Sequence, residues 1–214
     1  MPEPEREFGA TRLALLELKD ERQLILDGYE LLDEKRIQLA AEIRRQAAEL
    51  KALTAEYREL QNMARAKLAA AVSRHGLDEL SVYPPLSLEQ DSLRLSSTKL
   101  LGLSLLSAQL QTAQAAPPTI APPANPSPEA SACARLHRKL LQTAVPLAAC
   151  ELNLRRLLRE YVRTQRRARA IENVLLPEVE TAIAQTEEHL EGVDQEDIAR
   201  LRTRLGPRGV GLGS

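Results

Sequence analysis

The sequence predicts an all-α protein: a long antiparallel two-helix coiled-coil hairpin, with a small central segment and a Pro-rich linker between its halves. Three observations carry this expectation. Apolar residues recur in alternating steps of three and four over two long stretches, the spacing of a seam shared by two helices. Aromatic residues make up only 2% of the chain, with one Phe, four Tyr and no Trp, so the planar side chains that fill a thick core are nearly absent. Pro84-Pro85 and the six prolines at positions 117–128 stop any helix between the two stretches.

Residues 1–10 read as a flexible polar lead, and Thr11 is suited to cap the helix after it, because its hydroxyl accepts a bond from a free N–H of the first turn. The first long coiled-coil helix is expected over residues 11–76. Its stripe is Leu15, Leu18, Ile25, Tyr29, Leu32, Leu39, Ile43, Leu50, Leu53, Tyr57, Leu60, Ala64 and Ala71, interrupted by Arg22, Arg36, Gln46 and Lys67. Polar residues in a seam weaken it but fix its register. At 1.5 Å per residue such a helix extends roughly 98 Å, more than a compact domain of this size needs. Gly28 costs the helix about 1 kcal/mol, which suggests close approach or bending there. Gly76 supplies the stop, since glycine readily takes the left-handed backbone that ends helices.

Residues 77–128 form a central segment. Two short alternating runs around a polar turn predict a short β-hairpin over 91–107; the alternative is an amphipathic helix from Leu100 to Leu110. The linker 117–128 comes next, and Ser127-Pro128 announces a new helix, with serine as cap and proline in the first turn.

The second long coiled-coil helix is expected over 129–205, interrupted or bent near Pro146 and near Pro177. Its seam is Leu147, Cys150, Leu154, Leu157, Tyr161, Thr164, Ala168, Ile171 and Leu175. The stripe continues past Pro177 through Val179, Ala182, Thr186 and Leu190, so Pro177 reads as a bend rather than a stop. Gly192 is a weak point, and 206–214 is a flexible tail. Because the middle segment continues neither helix, folding back on itself is the favoured geometry; a parallel two-chain zipper is the competing one.

The sequence offers little from which to build catalysis. His75, His137 and His189 match no metal-ligand spacing, and Cys133 and Cys150 form no Cys-x-x-Cys or Cys/His arrangement. The glycines at 206, 209, 211 and 213 are followed by no Lys-Ser/Thr and preceded by no strand, so they are no phosphate loop. No catalytic, cofactor-binding or metal-ligating residue is therefore expected. With 29 basic and 30 acidic residues the formal net charge is -1, and no global field draws the chain to nucleic acid. A row of arginines (155, 156, 159, 163, 166, 167 and 169) is a solvated face with Glu partners or an electropositive surface for a protein. The absence of interleaved aromatics counts against DNA. No apolar run approaches the roughly 20 residues of a membrane span, and a reduced, cytosolic setting is expected.

Certain residues carry a family resemblance. Thr11-Arg12, Leu15-Leu16-x-Leu18-Lys19, Gly28 and Leu31-Leu32-x-x-Lys35-Arg36-x-x-Leu39 resemble the N-terminal signature of the D subunit of V-type (A-type) rotary ATPases. Thr164-x-Arg166-Arg167-x-x-Ala170-Ile171-Glu172-x-Val174-Leu175-Leu176-Pro177 is similar to the second signature of that family. Leu100-Leu101-Gly102-Leu103 resembles its central hairpin. The resemblance implies a non-catalytic rotor axle coupling ATP hydrolysis or synthesis to proton or sodium movement. The implied partners are the A and B subunits of a catalytic hexamer, the F subunit of the central stalk and a socket (C/d) subunit over the rotor ring. The place implied is the cytoplasmic side of a membrane, without insertion. The expected hexamer contacts are Thr11, Arg12, Lys19, Arg166, Arg167, Arg200, Arg202 and Arg204. A free-standing coiled-coil scaffold or tether is the alternative.

Overall fold

The computed structural model describes residues 11–80, 83, 91–111 and 127–205. The expectations for the lead 1–10, for Pro84-Pro85, for the linker up to residue 126 and for the tail 206–214 lie outside the described residues.

Helix α1 runs Arg12–Leu80. Thr11 caps it: Oγ1 accepts the Ala14 N–H at 3.1 Å and the Thr11 carbonyl accepts the Leu15 N–H at 3.1 Å. Near its end Gly76 leaves helical geometry at φ 72°, a backbone region that side chains with a Cβ disfavour. At Gly28 one of the two sequence expectations, close approach, is not met. A Cβ built there meets nothing within 4 Å, so no close approach requires the glycine.

The central segment holds strands β1, Ser92–Leu100, and β2, Leu103–Gln111, paired antiparallel from Leu100↔Leu103 outward. The amphipathic-helix alternative is therefore overturned. Leu101 and Gly102 turn the chain with φ 52° and 82°. Two successive positive φ angles match the right-handed twist of the flanking strands, and this local geometry makes a two-residue hairpin favourable. The second strand continues past residue 107 because Ala108 and Leu110 extend the alternation, with Ala108 only 6% exposed.

Helix α2, Pro128–Ala170, starts at Ser127, whose Oγ accepts the Ala130 N–H at 3.2 Å. It passes through Pro146 without interruption. The missing N–H costs about 3 kcal/mol in an isolated helix; here the flanking turns are held by buried Leu140, Ala149 and Cys150. Pro177 acts differently. A π-turn, Ile171–Leu175, precedes it, and the Leu176 N–H donates to the Ile171 carbonyl, five residues back. Proline has no N–H and its ring crowds the carbonyl four residues earlier, so a widened turn admits it while the chain stays helical. Helix α3, Leu176–Leu205, follows directly.

The described chain belongs to two compact units, one built from Met1–Arg36 with Arg163–Ser214 and the other from Ile37–Val162. Within each, partners descend in number as α1 ascends. In the first, Arg12, Lys19 and Arg22 meet Asp194, Glu187 and Glu180. In the second, Gln46 meets Cys150 and Arg74 meets Glu129. The helices are thus paired antiparallel within one chain, and the parallel zipper is excluded. The core of each unit is a thin seam. Ala14, Leu18, Ala168 and Val179 are buried in the first, and Leu39, Ala64, Ala71, Leu140, Ala149 and Leu157 in the second. Alanine supplies half of these positions, which lets the backbones approach closely and explains how the fold dispenses with aromatics.

Candidate interaction surfaces

Two of the three histidines are engaged in structural bonds, and His189 is exposed. His75 Nε2 lies 2.8 Å from Ser127 Oγ, and the Nδ1–H of His137 donates to the Cys133 carbonyl at 2.9 Å. Cys133 and Cys150 are free thiols, and burial is the first cause raising the pKa of each. A thiol kept protonated is a poor nucleophile and a poor metal ligand. Among the described residues no cluster of three or more His, Cys, Asp or Glu is placed to hold a metal, and no helix is long and apolar enough to cross a membrane. A cavity of 570 Å³ in the second unit is lined by Tyr57, Tyr83, Cys133, His137 and Leu140. It falls in the size range of small-molecule sites. Its one imidazole is already bonded to backbone, so no convergent polar set defines a ligand.

The first unit carries an ion-pair ladder. Arg12 reaches Asp194 at 3.1 Å, Lys19 reaches Glu187 at 2.8 Å and Arg22 reaches Glu180 at 3.2 Å. All six side chains are well exposed, so each pair contributes little stability; what the ladder supplies is register. Of the expected contact residues, Thr11 is the helix cap, Arg12 and Lys19 belong to the ladder, and Arg200 pairs along its own helix with Glu196 and Asp197. Arg166, Arg167, Arg202 and Arg204 are exposed with no ion partner among the described residues. From Glu191 to Arg204 every residue of α3 is exposed. The same unit shows a row on α1 that lies largely off the seam: Leu13, Leu16, Leu24 and Leu31 are 59–72% exposed.

In the second unit the hairpin is fastened to α2 by side chains. Asn153, 4% exposed, accepts the Leu106 N–H at 2.8 Å and donates to the Leu106 carbonyl at 2.7 Å, imitating a neighbouring strand. Arg156 donates to the Ser104 carbonyl at 2.9 Å. Beside this clamp Cys150 Sγ donates to Gln46, 3.3 Å from Oε1, and Gln46 Nε2 donates to Glu42 at 3.1 Å. The Arg45 hydrogen bond is the first cause holding the Glu42 carboxyl below the usual range. Asn153 was not singled out from the sequence. Its signal was a lone amide between Leu152 and Leu154, beside the seam, where burial demands a partner.

The seam residues separate by burial. Leu39 and Leu157 are fully buried. Ile25, Leu32, Ile43, Leu50, Leu53, Tyr57, Leu60, Leu147, Leu154, Tyr161 and Ile171 are half-buried. Leu175 is 43% exposed. It closes the π-turn, where the added residue per turn rotates the stripe outward.

Comparison with known proteins adds a consistent set of likenesses. The profile of the family described as the ATP synthase D subunit matches residues 14–204. The V-type ATP synthase D subunit of Anaeromyxobacter dehalogenans is 29% identical over 200 residues, covering 91% of this chain and 93% of that one. The A-type ATP synthase D subunit of Methanopyrus kandleri is 27% identical over 209 residues, covering 92% of this chain and 84% of that one. With the A-type ATP synthase D subunit of Pyrococcus horikoshii the match is 35% over 69 residues, so this chain spans about a third, 32%, of that relative's length.

Proposed function

The chain belongs to the ATP synthase D-subunit family, and from that premise we propose that it is the central stalk subunit, the rotor axle, of a V-type (A-type) rotary ATPase. In this role it couples ATP hydrolysis or synthesis in a catalytic hexamer to proton or sodium translocation. It is a structural subunit and makes or breaks no bond itself. The observation that carries the reading is the family match over residues 14–204, which takes in both helical stretches and the hairpin between them.

An axle works by presenting unlike faces in turn, so that each catalytic pair is biased toward a different open or closed state as the axle rotates. Register must then hold under torsion. The ladder of Arg12, Lys19 and Arg22 with Asp194, Glu187 and Glu180 supports this in the first unit. In the second, the buried Gln46–Cys150 contact does the same within the seam. Arg166, Arg167, Arg202 and Arg204 are the side chains best placed to slide along acidic loops of a hexamer. Thr11, Arg12, Lys19 and Arg200 act there mainly by holding their helices in place. The partners in this reading are the A and B subunits of the hexamer, the F subunit of the stalk and a socket (C/d) subunit, on the cytoplasmic side of the membrane.

The deciding experiment is affinity purification of the tagged chain from its host, with identification of the proteins that co-purify. Recovery of A, B and F subunits in fixed proportion is the expected result. A chain recovered alone, or with no ATPase subunit, would instead establish the free-standing scaffold or tether.

A further inference from the structure

The hairpin has one occupied edge and one open edge. Asn153 bonds both the N–H and the carbonyl of Leu106, so Leu106 turns its two polar backbone groups away from β1. Ser97, the cross-strand partner of Leu106, therefore turns both of its groups away from β2. In an antiparallel ladder this arrangement recurs at every second residue. The N–H and carbonyl groups of Leu93, Leu95, Ser97 and Lys99 consequently point off the free side of β1. The free side of β2 is taken by Asn153 and by Arg156 on the Ser104 carbonyl. The free side of β1 has no backbone partner among the described residues.

An unpaired strand edge is a template for another strand, and the side chains here specify which kind. Eight of the nine β1 residues are exposed, and Leu93 and Leu95, on the same face, are 55% and 56% exposed. The charged residues of β1 are Arg94 and Lys99, both basic and neither in an ion pair among the described residues. A second copy of β1 laid along the edge would add another Arg94 and Lys99 with nothing to neutralise either set, so self-pairing is disfavoured. We propose that β1 is a docking edge to which an extended segment of a partner protein adds as a third strand. That segment carries apolar residues across from Leu93 and Leu95, and carboxylates within reach of Arg94 and Lys99. The edge is the same whichever complex the chain enters.

The test compares the full-length chain purified alone with the chain purified from its host in its assembled complex. Residue-resolved hydrogen exchange is expected to slow about tenfold or more in the complex at Leu93, Leu95, Ser97 and Lys99, the effect of one added hydrogen bond each. Arg94, Ser96 and Thr98, already paired across the hairpin, should change less. Zero-length carbodiimide coupling should join Lys99 to an Asp or Glu in an extended segment of the partner. The double variant Arg94→Glu, Lys99→Glu should lose that protection while the exchange of Arg94-to-Thr98 ladder amides shows the hairpin intact. The proposal is overturned by any of four results: no partner on the edge, equal slowing along β1 without alternation, protection already present in the free chain, or retained protection in the double variant. Protection in the free chain would mean that another part of the same chain holds the edge.

Discussion

At the scale of single residues, Asn153 is the side chain on which the position of the hairpin most depends. It satisfies two buried backbone groups at once, and truncation leaves both without a partner. Asn153→Ala is expected to cost about 1–3 kcal/mol, read as a lower urea midpoint and faster exchange of the Leu106 amide. Asn153→Asp keeps the acceptor and loses the donor, so it should retain Leu106 amide protection better than alanine does. Glu129 gives a second residue-level expectation. Its carboxyl is held below the usual range first by its own backbone N–H and then by Arg74, which it meets at 2.6 Å. A carboxyl whose folded pKa is depressed stabilises the fold above its unfolded value, and that contribution is lost as pH falls through the folded value. Glu129→Gln should therefore accelerate amide exchange in the first turn of α2 at pH 7. The difference from wild type should vanish once both folded and unfolded carboxyls are protonated; an undiminished difference there would remove charge as the cause.

At the scale of elements, two leucine rows on long helices have opposite fates. The seam buries Leu39 and Leu157 completely, whereas Leu24 is 72% exposed on another face of α1. Leu157→Ala is expected to destabilise by about 2–5 kcal/mol, and Leu24→Ala by under about 0.5 kcal/mol, both measurable by denaturant titration. Equal costs would mean that the rows are assigned to the wrong faces. The π-turn shows how an element absorbs a local conflict. Pro177 cannot join the ordinary ladder, yet Val179, two residues on, is buried and α3 continues to Leu205. A helix stop was one sequence reading of proline, and the stripe continuing beyond it pointed to the other. The form of the accommodation, a single widened turn, follows from the seam holding the helix on both sides of the ring.

At the scale of the whole molecule, the family reading makes a separation of stability from function. Residues 191–204 are exposed throughout, and Asp194 contributes only an exposed ion pair with Arg12. Deleting residues 194–214 should therefore shift the melting temperature of the isolated chain by no more than a few degrees. In the assembled complex the same deletion should abolish ATP-driven ion pumping. A large loss of stability would mean that this stretch is part of the fold. The sequence by itself determined the helical hairpin plan with its short central strands, the Thr11 and Ser127 caps and the antiparallel fold-back, because periodicity, caps and turn residues act over a few neighbours. It also carried the signatures of the family. Tertiary structure alone decided the rest: that Asn153 fastens β2, that Pro146 stays helical while Pro177 forces a π-turn, and that Arg12 and Lys19 are engaged across the seam. It decided too which edge of the hairpin stays open. Each of these depends on which distant groups pack or bond beside a side chain or on both sides of a ring, and local sequence spacing does not encode that meeting.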